Sequence, residues 1–72
     1  MPSLPTLRAD ELIRELERTE FQAVRQRGGH VRLKHDEGRV VPVHSGQDIG
    51  RGLLRKILRA AELPPEEFLK LL

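Results

Sequence analysis

Seventy-two residues allow one unit with a modest core, near the lower size at which a chain folds alone, so a single domain over 1–72 is expected. The absence of cysteine excludes disulfides, a thiol nucleophile and thiolate-rich zinc sites. Thirteen cations against eleven anions leave a net charge of only +2, and with no apolar run near the roughly 20 residues of a membrane span and no basic-then-apolar leader, a cytoplasmic protein without membrane attachment is expected.

Residues 1–5 hold two prolines and no periodicity, which predicts an extended lead-in. Leu7, Leu12, Ile13 and Leu16 recur at helical spacing between charged neighbours, predicting a first helix over 8–18. Asp10 and Glu11 suit its first turn and Arg18 its last. Residues 21–26 read as a short strand that offers Phe21, or Ala23 and Val24, to the core. Gly28-Gly29 turns the chain into a second strand over 30–35, where alternation sends Val31 and Leu33 one way and His30, Arg32 and Lys34 the other. Asp36-Glu37-Gly38 makes the next turn, and 39–43 is a third strand rich in β-branched residues. Pro42 has no N–H to give to a ladder, so that strand belongs at a sheet edge. A glycine-containing loop over 44–52 leads to a second helix whose stripe is Leu53, Leu54, Ile57, Leu58 and Ala61, with Arg55, Lys56 and Arg59 outward. Pro64-Pro65 ends it and permits a short helix over 66–72 with Phe68, Leu69 and Leu72 on one side. Helix, three strands, helix and short helix are most economically arranged as an α+β sandwich, a three-stranded antiparallel sheet with both main helices on one face.

Charge is spread unevenly along this order. Residues 1–20 hold three cations against five anions, 21–59 hold nine against three, and the last thirteen hold one against three. A basic centre between acidic ends is the footprint of a nucleic-acid-binding side, although an arginine-rich solvated surface has the same composition. The face left bare by the helices would display His30, Arg32 and Lys34, a titratable base beside two cations, which suits a polyanion with a cleavable phosphodiester. Double-stranded RNA binding domains share this element order and basic second helix, and they read shape, 2′-hydroxyls and phosphates. At the start of that helix the amides of Arg51, Gly52 and Leu53, with the Arg51 and Arg55 side chains, would favour a phosphate. Tryptophan and tyrosine are absent and both phenylalanines are expected in the core, so base stacking is poorly provided for.

Glu11-Leu12-Ile13, Phe21, Arg25-Gln26-Arg27-Gly28, His30, Gly38-Arg39, Val41-Pro42-Val43-His44, Gly52-Leu53-Leu54-Arg55, Ile57-Leu58 and Glu67-Phe68-Leu69 carry a resemblance over nearly the whole chain. In their order and spacing the chain resembles the HicA (YcfA-like) toxins of type II toxin–antitoxin systems. That resemblance implies a double-stranded RNA binding domain fold and a ribonuclease that cleaves messenger RNA without metal or cofactor and is blocked by a HicB-type antitoxin protein. It implies His30 as general base, taking the proton of a ribose 2′-hydroxyl that attacks the adjacent phosphate while cations stabilise the developing charge. Imidazole, with an ordinary pKa of about 6.5, suits such a role near neutral pH. The expected RNA-contacting positions are Arg27, Gly28, Gly29, Arg32 and Lys34 around it, and Arg51, Arg55 and Lys56 on the second helix. Four positions depart from the family pattern: Gly29 replaces the usual serine before the histidine, Val31 replaces the usual polar residue or histidine after it, and Arg8 and Pro64 occupy the cap positions of the first and last helices.

A noncatalytic RNA-binding or protein-interaction module of the same fold is the alternative, with His30 merely touching phosphate or partner. His35 falls on the core side by parity and reads as structural. His44 ends the third strand beside the glycine loop; it reads as structural, with an approach to RNA as the other possibility. Zinc is disfavoured, because no His-x-x-x-His or His-Glu-x-x-His pattern occurs and parity puts His30 and His35 on opposite faces.

Overall fold

Alternating apolar residues in consecutive strands, flanked by two amphipathic helices, bury their apolar atoms best as one sheet under one helical layer, and the computed structural model has that arrangement over residues 4–72, the part it describes. The first three residues of the expected lead-in lie outside the described residues. In chain order the elements are β1 (Leu7–Arg8), α1 (Ala9–Glu17), β2 (Phe21–Arg27), β3 (His30–His35), β4 (Val40–His44), β5 (Asp48–Ile49), α2 (Arg51–Ala60) and α3 (Pro65–Leu69). Strands β2, β3 and β4 form an antiparallel sheet in that order, so β4, with Pro42, is an edge strand as its missing donor requires.

Helix α1 buries Ala9, Leu12 and Leu16, and α2 buries Leu54, Ile57 and Leu58. Both rows meet Val31, Leu33, Val41 and Val43 from the sheet in one apolar cluster closed by Phe21, Ile49, Ala61 and Phe68. Truncating a fully buried leucine here, Leu54 or Leu58, would cost about 2–5 kcal/mol, a large part of the roughly 5–15 kcal/mol that holds a domain together. Neither Arg8 before α1 nor Gly50 before α2 places a side-chain cap on the first amides. The chain instead fixes both helix starts with a small second sheet: β1 pairs with β5 through Leu7–Ile49 and Arg8–Asp48, and the Ala9 amide donates to the Gln47 carbonyl at 2.9 Å.

Several expected boundaries and burials need correction. The final helix stops at Leu69, and Leu72 is exposed. Leu53 stands outside the buried stripe of α2 and is exposed. Val24 is half out in solvent instead of in the core, for a reason that lies in the geometry of β2. The segment at 44–52 is not all loop, since it contains β5.

Candidate nucleic-acid interface

Strict alternation from the buried Phe21 would send Ala23, Arg25 and Arg27 to the helical side of the sheet. The register prevents this. Ala23 pairs with Leu33 but Arg25 pairs with Arg32, one step on in β3, so Val24 is the extra residue of a β-bulge. Beyond it the parity of β2 is reversed, and Arg25 and Arg27 join the open face.

The open face therefore consists of cross-strand rows. Gln22, Lys34 and Val40 form the row farthest from the glycine turn, Arg25, Arg32 and Pro42 the middle row, and Arg27, His30 and His44 the row beside the turn. All nine side chains are exposed. The two-residue turn has Gly28 at its first central position with φ 60°, left-handed backbone that favours glycine.

A shallow cleft of about 420 Å³ is lined by Arg25, Arg27, His30, Val31, Arg32 and Pro42. Three guanidinium groups line it and no carboxylate does. Among the described residues the arginine ion pairs engage Arg8, Arg18 and Arg39, so Arg25, Arg27 and Arg32 are not neutralised by a neighbouring acid. Guanidinium forks match phosphate oxygens bidentately, and three around one hollow make an anion-attracting floor.

His30 and His44 face each other across β3 and β4, ring centroids 4.5 Å apart and planes at 69°. The Ser45 amide continues the ladder by donating to the Gly29 carbonyl at 2.6 Å, which fixes the end of β4 against the turn. His44 Nδ1 lies 3.3 Å from the Ser45 carbonyl oxygen. A carbonyl only accepts, so that nitrogen carries the proton and Nε2 is the free ring nitrogen. A Cβ at Gly29 would come within 2.8 Å of His44 Cε1, so the bare glycine is what admits the ring to this position.

Of the residues singled out from the sequence, His30, Arg27 and Arg32 come together in the cleft; Gly28 and Gly29 make the turn that joins Arg27 to His30, and Lys34 lies on the same face two residues beyond Arg32. Arg51, Arg55 and Lys56 are exposed on α2, in the helical layer, and none of them lines this cleft. Sequence reasoning missed Arg25, whose position depends on the bulge. It read His44 as structural, with an approach to RNA as the other possibility, and did not foresee that the ring is exposed beside His30. Parity carried one residue past Val41 and Val43 would have found it.

His35 is buried, at 6% exposure, with its ring edge-on to Phe21 at 4.9 Å. Its Nδ1 accepts the Glu37 amide at 3.0 Å, and Nε2 lies 3.2 Å from the Arg39 guanidinium and 3.6 Å from the Glu20 carboxylate. This arrangement anchors the start of β2 and the 36–38 turn, and it lies on the side of the sheet away from the cleft.

No helix among the described residues is long and apolar enough to cross a membrane. A family model described as the HicA toxin of bacterial toxin–antitoxin systems matches residues 9–63, from the start of α1 to just past α2. A comparison with curated proteins finds no match.

Proposed function

The chain belongs to the HicA toxin family of bacterial toxin–antitoxin systems, and from that premise we propose that it is an endoribonuclease that cuts messenger RNA at the cleft on the open face of its sheet. The observation that carries this reading is the convergence of His30 with Arg25, Arg27 and Arg32 in one exposed hollow free of carboxylates. A phosphodiester seated on the guanidinium groups would bring its ribose 2′-hydroxyl to His30. The imidazole takes the hydroxyl proton, the 2′-oxygen attacks phosphorus, and the arginines stabilise charge on the non-bridging oxygens. Recognition through phosphates, with no aromatic platform on the face, makes the cleavage tolerant of sequence.

The toxin's partner is an antitoxin, proposed to be of HicB type, that covers this same face and buries His30. Val40 and Pro42, exposed on the edge strand beside the cations, give such a partner apolar surface to bury, and acidic side chains would complement Arg32 and Lys34.

The end groups of the products test the chemistry. Attack by the 2′-hydroxyl leaves a 2′,3′-cyclic phosphate on one fragment and a 5′-hydroxyl on the other, and protein side chains supply the proton transfers, so the cut should persist in chelator. Products ending in 3′-hydroxyl and 5′-phosphate, or activity lost in chelator and restored by a divalent ion, would contradict it.

A further inference from the structure

We propose that His44 is the general acid of this reaction, the group that protonates the departing 5′-oxygen. The assignment rests on the ribonuclease reading and adds to it a second catalytic residue. Cleavage by a 2′-hydroxyl needs two proton transfers on opposite sides of one phosphorus: the 2′-oxygen loses a proton as it attacks, and the 5′-oxygen gains one as its bond to phosphorus breaks. A lone base supplies only the first.

The open face holds a second imidazole next to the first, just outside the residues that line the cleft. His44 occupies the same cross-strand row as His30 and Arg27, exposed, with its ring 4.5 Å from that of His30. It is held there from two directions. The Ser45-to-Gly29 backbone bond of 2.6 Å ties its strand end to the turn, and Nδ1–H donates to the Ser45 carbonyl. With Nδ1 engaged, Nε2 is the one ring position that can deliver a proton to a ligand. Gly29, where a Cβ would press on the ring at 2.8 Å, leaves the space for it.

In the resulting step His30 starts neutral and His44 starts as imidazolium, with a proton on each ring nitrogen: His30 accepts the 2′-hydroxyl proton, the new bond from the 2′-oxygen to phosphorus forms, the bond from phosphorus to the 5′-oxygen breaks, and His44 Nε2 gives its proton to that oxygen. His30 ends protonated and His44 neutral. Exchange with water restores both, so no further reactant is needed.

A leaving group that needs no proton separates an acid from every other role. Single-turnover cleavage is measured for the parent chain, His44→Ala, His44→Gln and His30→Ala on an RNA oligonucleotide, and on the same oligonucleotide with sulfur in place of the 5′-bridging oxygen at the cut linkage. On ordinary RNA both His44 variants should slow by at least about 100-fold, the usual range for loss of an acid or base. On the sulfur substrate, whose thiolate departs unprotonated, they should recover to within about tenfold of the parent, while His30→Ala stays slow on both substrates. Equal loss on the two substrates in the His44 variants overturns the assignment and leaves His44 a positioning residue. Parent-like cleavage of ordinary RNA by either His44 variant, with His30→Ala inactive, overturns it while sparing the ribonuclease reading. A parent chain that cuts neither substrate overturns both.

Discussion

Gly29 and the two histidines beside it carry the proposed chemistry at the scale of single residues, and each can be tested by one substitution. Replacing Gly29 by alanine would push a methyl into the His44 ring, the movable tip of an exposed side chain, at a position whose backbone is not left-handed. The expected outcome is a protein of nearly unchanged stability, within about 0.5 kcal/mol, in which the magnetic contact between the His30 and His44 rings disappears and cleavage falls. An unchanged ring contact together with the parent rate would show that Gly29 does not hold the pair open. His35 belongs to the opposite category. Its removal vacates a buried site against Phe21 and strands the Glu37 amide, so His35→Ala should cost about 2–4 kcal/mol. Chemical unfolding would read that loss, and any fall in cleavage at a temperature where the variant remains folded would assign the ring more than structure.

At the scale of elements the bulge in β2 is the feature that builds the cleft. Because Val24 is the unpaired residue, deleting it should straighten the strand while keeping Arg25 and Arg27 on the open face. The deletion variant should retain RNA affinity within a few-fold and melt near the parent. Were β2 regular, alternation from Phe21 would hold both arginines on the helical side in the parent, and the same deletion would turn them to the open face and strengthen binding. That outcome, seen by RNA titration, would contradict the register. The bulge also marks where the sequence stops being legible. In β3 the alternation of Val31, Leu33 and His35 with His30, Arg32 and Lys34, bracketed by glycine turns, fixes both limits and both faces. The Leu54, Ile57, Leu58 stripe does the same for α2. After Phe21, β2 runs Gln-Ala-Val-Arg-Gln-Arg, with no apolar alternation to reveal a change of parity. Strands β1 and β5 span two residues each, too few for any period, and exist because tertiary pairing brings Leu7 to Ile49. His44 was within reach of parity, but the expected third strand ended one residue short of it.

On the scale of the whole molecule, charge is sorted by surface. The cations of β2 and β3 share the open face, while those of α2 lie in the helical layer. RNA affinity should therefore fall steeply with salt, and Arg25→Ala with Arg32→Ala should flatten the slope by about 1.4, close to 0.7 for each single-strand phosphate that the protein no longer neutralises. The pair Arg51→Ala with Arg55→Ala should flatten it less. A larger effect from the α2 pair would move the main RNA track to the helices, away from His30. If the antitoxin covers the same face, it and RNA should compete, and reversing the charges of Arg32 and Lys34 should weaken both. The central claim is that the cut is made at His30, and it is tested most directly by the single-turnover cleavage rate of His30→Ala measured alongside its RNA affinity. The side chain lies outside the core, so affinity and melting temperature should stay close to the parent while the rate drops by at least about 100-fold. Cleavage at the parent rate by a folded, RNA-bound His30→Ala protein would contradict the account.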